Sequence, residues 1–296
     1  MTEIEQALAA FADFMWGPQL VLLLVGGGLF FTFHSRLAHF KYLKHSFDLL
    51  RGRYSADGGK GEVAGDISHF RALATALAGT IGVGNITGVA VAITVGGPGA
   101  VFWMWVTALV GISTKFYTAS LAIMYRGYDD AGKLQGGPMY VIREGLGKRW
   151  LPLAYLFAVA GMFGTLPVFQ VNQLVQITRD AVAIPAGIVS ADSHFTFDLI
   201  MGIVLSIFLF AVAVGKVKRV SALAGSMVPA MVLFYFVITG YLLLSHITEL
   251  PAMLALIVTD AFSGEAVSGG VLGAVILIGV QRGVFSTEAG RGTEAL

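Results

Sequence analysis

The sequence predicts an all-α integral membrane protein, an expectation carried by composition, by the length of its apolar runs and by the placement of its basic residues. Of its 296 residues 56% are hydrophobic and only 12% charged, against about 45–50% apolar and about 25% charged in soluble domains. Mean hydropathy is +0.78, so a fully water-facing exterior is excluded. Apolar runs long enough to cross a bilayer, or nearly so, occur at about 16–33, 71–95, 99–124, 151–177, 197–214, 222–244 and 269–285. At about 20 residues per crossing these make seven spans.

The basic residues sort with that count. Arg36, Lys41, Lys44, Arg51, Arg53, Lys60 and Arg71 lie between spans one and two; Arg126, Lys133, Arg143, Lys148 and Arg149 lie between three and four; Lys216, Lys218 and Arg219 follow span five. The opposite loops hold only Arg179, together with Glu3, Glu5, Asp13, Asp180, Asp192, Asp198, Glu249, Asp260 and Glu265, so the positive-inside rule places the N-terminus outside. A missing or extra span would scatter the basic loops over both faces. The acidic start, Met1-Thr2-Glu3-Ile4-Glu5, lacks the basic leader of a secretory signal, and no cleaved peptide is expected. With no cysteine, disulfides and thiolate metal sites are excluded.

Two loops carry further helical signals. Leu37, Phe40, Leu43, Phe47 and Leu50 recur at helix spacing beside Lys41, Lys44 and Arg51, which suits either a helix on the inner leaflet or a loop helix packed on the bundle. Residues 249–262 form an apolar stretch too short to span, expected to be interfacial or a capping loop.

Span two is unlike the rest. Ala78-Gly79-Thr80-Ile81-Gly82-Val83-Gly84-Asn85-Ile86-Thr87-Gly88 puts four glycines and three hydrogen-bonding side chains in mid-span. Each glycine costs about 1 kcal/mol relative to alanine in a helix. Unwound backbone at membrane depth survives only where it is buried or lines a cavity. Discontinuous helices of this kind build midplane sites in secondary transporters, where freed carbonyls ligate a sodium ion and a half-helix end meets a carboxylate. Thr80, Asn85 and Thr87 add oxygens that a hard cation accepts, and the cation ligands are expected at Thr80, Gly82 and Thr87. Close helix packing through small residues explains Gly84 and Gly88 equally well, but not Asn85 and Thr87. A dinucleotide fingerprint at Gly82-x-Gly84 fails because its sixth position is Thr87 and its flanks are membrane span.

The last span ends in Gly279-Val280-Gln281-Arg282-Gly283-Val284-Phe285-Ser286-Thr287-Glu288-Ala289-Gly290-Arg291-Gly292-Thr293, where glycines again interrupt an apolar run. Two interrupted spans in matching positions point to a transporter site built on inverted repeats. Spans two to six would form one repeat and span seven would open the second. A helix leaving the membrane near Arg282 is the alternative. Arg282, Glu288 and Arg291 would pair or face an aqueous vestibule. In span four Gln170 and Gln173 share a face, and amides can read both ends of a zwitterion; amide bonding between helices competes with that role. Lys115 in span three is expected to snorkel toward the interface.

At these residues the sequence resembles the alanine or glycine:cation symporter family, over about residues 70–296. Gly79-Thr80-Ile81-Gly82-Val83-Gly84-Asn85-Ile86-Thr87-Gly88-Val89-Ala90 looks like the family's first broken helix, Gln135-Gly136-Gly137-Pro138-Met139-Tyr140 like its inner loop, and Arg282-Gly283-Val284-Phe285-Ser286-Thr287-Glu288-Ala289-Gly290 like its second broken helix. The resemblance implies the inverted-repeat leucine-transporter fold and sodium- or proton-coupled symport of a small neutral amino acid, alanine or glycine, across the cell membrane. It implies substrate contacts at Gly84, Asn85, Gln170, Phe285 and Ser286, beside the cation set at Thr80, Gly82 and Thr87. The sequence departs from the family at Thr118, often acidic there, and at Leu166-Pro167, often Gly-Asn. Family members continue past the position of Leu296, so the chain reads as the N-terminal part of such a protein: an extra helix and basic segment over 1–70, a first repeat over 71–244, and an outer loop with the start of the second repeat over 245–296. The missing mid-span carboxylate in residues 71–95 leans toward sodium as coupling ion. An ion channel or a non-transporting scaffold is the alternative; no enzyme activity and no nucleic-acid partner is expected.

Overall fold

The computed structural model describes residues 3–51, 53, 69–166, 168–190, 193–262, 271–290 and 292. The chain is helical almost throughout: α1 (Glu3–Met15), α2 (Pro18–His34), α3 (Ala38–Lys41), α4 (Leu43–Leu50), α5 (His69–Thr80), α6 (Val83–Gly96), α7 (Gly99–Met124), α8 (Pro138–Tyr140), α9 (Leu151–Gly164), α10 (Val168–Thr178), α11 (Phe195–Ala213), α12 (Lys216–Ser245), α13 (Leu250–Ala261) and α14 (Val271–Thr287). Among the described residues Glu3–His34, Phe70–Gly96, Gly99–Met124, Phe195–Ala213 and Lys216–Ser245 are long and apolar enough to cross a membrane, and shorter apolar helices occupy Leu250–Ala261 and Gly273–Thr287. The chain divides into two compact units, one from residues 1–53, 84–159 and 237–296, the other from 54–83 and 160–236.

The first unit is assembled around α7, whose small residues let other helices approach. Gly99, Ala100, Met104, Thr107 and Gly111 are buried along it, at spacings that repeat each turn. From α14, Gly279 faces Trp103 and the Ala100 carbonyl while Gly283 faces Thr107; a Cβ at Gly279 would sit 2.6 Å from Trp103 Cβ, and one at Gly283 2.9 Å from Thr107 Cβ. Ala92 of α6, Ala100 and Met104 of α7 and Val275 of α14 share one buried cluster. On α2, Gly28 lies against Val110. Below it Thr32 Oγ1 lies 2.9 Å from Ser113 Oγ, which lies 2.9 Å from His39 Nδ1. The apolar stretch at 249–262 forms the helix α13 rather than a loop; Gly99 N donates to Asp260 Oδ2 at 2.7 Å, satisfying an orphan amide at the N-terminus of α7 with a charge that the helix dipole favours.

Three sequence expectations change. The segment expected as one helix over 36–50 is two, α3 and α4, preceded by left-handed Arg36 and Leu37 (φ 51° and 59°) that turn the chain out of α2. Leu43 and Phe47 of α4 are exposed among the described residues. Second, Gly279 and Gly283 do not interrupt the last span. Helix α14 runs through both to Thr287, because each glycine admits the backbone and side chains of α7; the backbone leaves helical geometry only at Glu288, Gly290 and Gly292, with φ of 55°, 83° and 75°. Third, the unwound stretch expected across 79–88 is confined to Ile81 and Gly82. Helix α1, ahead of the first apolar run, was not anticipated.

In the second unit the turn that follows α10 is tied to α11 by charge: Arg179 Nη1 donates to Asp198 Oδ2 at 2.7 Å, and His194 Nδ1 lies 2.9 Å from the same oxygen. Between these helices lies a cavity of about 500 Å³, with Asn172, Gln176, Arg179, Asp198 and Ser206 in its wall. Span four is divided into α9 and α10, with Thr165 and Leu166 outside both helices.

After α7, Gly127–Tyr128 and Leu134–Gln135 pair antiparallel around Asp129, whose carboxylate accepts from Lys133 N (2.8 Å), Ala131 N (3.0 Å) and Gln135 Nε2 (3.1 Å). The Lys133 amide, then the Gln135 amide, hold this carboxyl below the usual carboxylate range. A depressed pKa gives stabilisation that is present above the ordinary carboxylate value and lost as pH falls through the lower one. Hydrogen exchange at Lys133 N, corrected for intrinsic rate, is expected to lose protection over that acidic window in the wild type. In Asp129→Asn the amide should be weakly protected at every pH. Equal, pH-independent protection in both proteins would refute the assignment.

Candidate functional site

The arrangement with chemical interest in the first unit is the meeting of α6 and α14. Helix α5 continues its bonding to Ile81, whose N donates to Leu77 O at 2.7 Å, and Thr80 Oγ1 returns a bond to Ala76 O at 2.9 Å. Helicity then lapses over Ile81 and Gly82 and resumes at Val83. A break in this place leaves amides at the start of α6 without intrahelical partners, and with them a positive dipole end. Among the described residues nothing lies within 4 Å of where a Cβ would stand at Gly79 or Gly82, and a glycine in a helix weakens it.

Gly84 is different. A Cβ there would lie 2.8 and 2.9 Å from Phe285 ring carbons, and one at Gly88 would touch the same ring at 4.0 Å. One residue on in both helices, Ser286 Oγ donates to Asn85 Oδ1. Residues 201 positions apart in sequence are thus locked by an aromatic-on-glycine contact and a side-chain hydrogen bond, both half-buried. An amide carries both donors and an acceptor, as does a hydroxyl, a chemistry able to address both ends of a zwitterion. Thr87 is half-buried two residues further along α6.

The structure therefore brings together Gly84, Asn85, Phe285 and Ser286. Thr80, the last residue of α5, and Gly82, within the helix break, lie in the second unit, and Gln170 is exposed on α10 in that same unit. Among the described residues no group of three or more histidine or acidic side chains could hold a metal ion. The oxygens available around the break are neutral hydroxyls, amides and carbonyls, a set suited to a hard cation rather than a transition metal.

Sequence reasoning missed Trp16. It borders a cavity of about 280 Å³ together with Gln281, Arg282 and Phe285, and Gln281 Nε2 donates to Trp16 O. The signal that could have found this cavity was present in Arg282, a guanidinium within an apolar run; Trp16, at the junction of α1 and α2, carried none. Lys115, expected to snorkel, accepts a bond at its carbonyl from Thr118 Oγ1 at 3.1 Å, so the neutral residue at position 118 is used within α7.

Comparison with known proteins bears on the chain as a whole. The profile of the sodium:alanine symporter family matches residues 1–296. The chain is 41% identical to the sodium/alanine symporter AgcS of Methanococcus maripaludis over 282 residues, covering 95% of the chain and 60% of that protein. It is 39% identical to an uncharacterized transporter of Haemophilus influenzae, covering 98% of the chain and 61% of the relative. To the probable sodium/glutamine symporter GlnT of Bacillus subtilis it is 35% identical, covering 98% and 57%. The chain thus spans about three fifths of the length of these relatives. A profile matched from the first residue to the last, and identity near 40% across almost the whole chain, establish this multi-pass membrane protein as a member of the sodium:alanine symporter family.

Proposed function

We propose that the chain carries the ion- and substrate-binding helices of a secondary active transporter that moves a small neutral amino acid, alanine or glycine, together with sodium across the cell membrane. The observation that carries this reading is the lock between α6 and α14, Phe285 on Gly84 and Ser286 on Asn85, formed beside a helix break on one element and just before a helix end on the other. The names of the relatives, sodium/alanine and sodium/glutamine symporters, support sodium as the co-transported ion.

In this proposal Gly84, Asn85, Phe285 and Ser286 contact the substrate. Thr80, Gly82 and Thr87 supply the oxygens of the cation site. Gln170 joins the substrate contacts on the strength of the family resemblance rather than of a distance. Seven spans with the N-terminus outside, arranged as the opening part of a leucine-transporter-like inverted repeat, complete the reading. The helix breaks at Ile81–Gly82 and at Glu288–Gly290 support it, as does the segregation of basic loops. Coupling requires that ion and amino acid stabilise one state together.

Uptake of labelled alanine into vesicles holding the reconstituted protein is expected to rise with an inward sodium gradient and to collapse when the gradient is dissipated. Uptake indifferent to sodium would refute the coupling assignment. Rapid ion flux without amino acid would point to a channel.

A further inference from the structure

Two residues beyond Ser286 the backbone turns left-handed, with φ of 55° at Glu288 and 83° at Gly290, and this turn is held by two other helices. Helix α14 first closes on itself: Glu288 N donates to Val284 O at 2.8 Å and Thr287 Oγ1 to Gly283 O at 2.8 Å. Ala289, 4% exposed, then rests on α7, where a Cβ at Gly111 would stand 2.8 Å from Ala289 Cβ. Gly290 rests on α2. A Cβ there would stand 2.6 Å from Leu24 Cδ2 and 3.8 Å from Thr114 Cγ2, so glycine suits position 290 both by its positive φ and by the closeness of the leucine. The space bordered by Leu24, Val110, Gly111, Thr114, Val284 and Ala289 is about 10 Å³, room for about one water at most. Leu22 and Leu23, the preceding residues of α2, are 74% and 70% exposed, whereas Leu24 is half-buried.

We infer that Leu24 is a positioning residue of the transport site: α2, the span that the repeat reading leaves outside both repeats, braces the turn that ends α14 and so fixes how Phe285 and Ser286 meet Gly84 and Asn85. Only three residues separate Ser286 from Gly290, and a turn that shifts carries the last turn of α14 with it. A loosened turn lets the chain sample arrangements in which the two helices do not meet correctly. Apparent affinity then falls by the fraction of molecules that remain competent. Saturating substrate draws the population back, so the cost falls on KM more than on maximal rate. The inference rests on the symport reading and adds to it a role for the extra helix.

The test measures sodium-driven alanine uptake by Leu24→Ala, Leu24→Met and Leu23→Ala, normalised to folded protein in the vesicles. Leu24→Ala is expected to raise KM for alanine about two- to thirtyfold, the range by which residues that touch neither ligand alter coupling, with a smaller fall in maximal rate. Leu24→Met, which refills the seat, should recover most of the wild-type KM, and Leu23→Ala should keep it. Gly290→Ala should raise KM as well. The double variant Leu24→Ala/Gly290→Ala should raise it by clearly less than the product of the single effects, because the shortened side chain makes room for the added methyl. A wild-type KM in Leu24→Ala overturns the inference, and so does a loss confined to maximal rate, which a purely structural helix would give. Single effects that multiply in the double variant would show that positions 24 and 290 do not touch, and overturn it too. If the alanine variant does not reach the membrane, Leu24→Val carries the same comparison, with a smaller rise in KM expected and an unchanged KM overturning the inference. Wild type that takes up no alanine at all refutes the symport reading and this inference together, whereas uptake whose KM is indifferent to position 24 refutes only the latter.

Discussion

Replacing Asn85 by alanine is expected to cut sodium-driven alanine uptake by about five- to 150-fold while the protein still reaches the membrane and elutes as the wild type does. The magnitude follows from leaving one half of a polar pair without its partner, which costs about 1–3 kcal/mol. Ser286 Oγ donates to Asn85 Oδ1, and the alanine variant removes that acceptor from a half-buried position. The effect should fall on transport more than on folding. The buried cluster shared by α6, α7 and α14 consists of Ala92, Ala100, Met104 and Val275, and Asn85 is not a member of it. Ser286→Ala removes the other end of the same bond, so a double-mutant cycle gives a sharper readout than either change alone. If the two residues act as one unit, the double variant should lose little more than Asn85→Ala. Losses that simply multiply would show that the two side chains act independently, and uptake retained by Asn85→Ala would remove this residue from the site.

Much of the helical architecture was legible because a bilayer constrains sequence strongly. Apolar runs near 20 residues and the sorting of lysines and arginines are consequences of lipid as solvent, and five of the seven runs fall within helices long and apolar enough to cross it. The anomaly at residues 79–88 was legible as composition, but its extent was not. Glycine has two uses in a membrane helix, to weaken it and to let another helix in, and a sequence does not say which applies. Among the described residues Gly79 and Gly82 meet no neighbour and fit the first use; Gly84, Gly279 and Gly283 fit the second. That difference depends on the neighbour across the contact, Phe285 for Gly84 and the Ala100–Thr107 stretch of α7 for the others, and the neighbour is set by tertiary structure. For the same reason Trp16 could not be seen. A tryptophan at the edge of an apolar run reads as an interfacial anchor, and only the bond from Gln281 to its carbonyl places it at a cavity.

The division between the two kinds of glycine makes a prediction about stability that is independent of transport. Gly279→Val is expected to destabilise the protein severely, and Gly273→Val, two turns earlier on the same helix, hardly at all. At Gly279 a Cβ would stand 2.6 Å from Trp103 Cβ and 2.7 Å from the Ala100 carbonyl oxygen. The second of these is backbone, which cannot rotate aside, so α14 and α7 must separate. Overpacking of a well-filled contact costs about 1–3 kcal/mol, occasionally more, and here separation also loosens the cluster of Ala92, Ala100, Met104 and Val275. At Gly273 nothing lies within 4 Å of an added Cβ, and valine there exchanges only glycine's flexibility for a branched side chain. Both variants gain the same apolar bulk and sit in the same helix, so differences in membrane insertion or helix propensity cancel to first order. Thermal unfolding in detergent, followed by loss of the monodisperse peak, should therefore show a clearly lowered midpoint for Gly279→Val and a midpoint near wild type for Gly273→Val. If both variants behaved as wild type, α7 and α14 would not be in close contact through Gly279. In that event the route by which α14 presents Phe285 and Ser286 to α6 would have to be redrawn, since the seating of Gly279 and Gly283 on α7 fixes the depth at which those two residues meet Gly84 and Asn85.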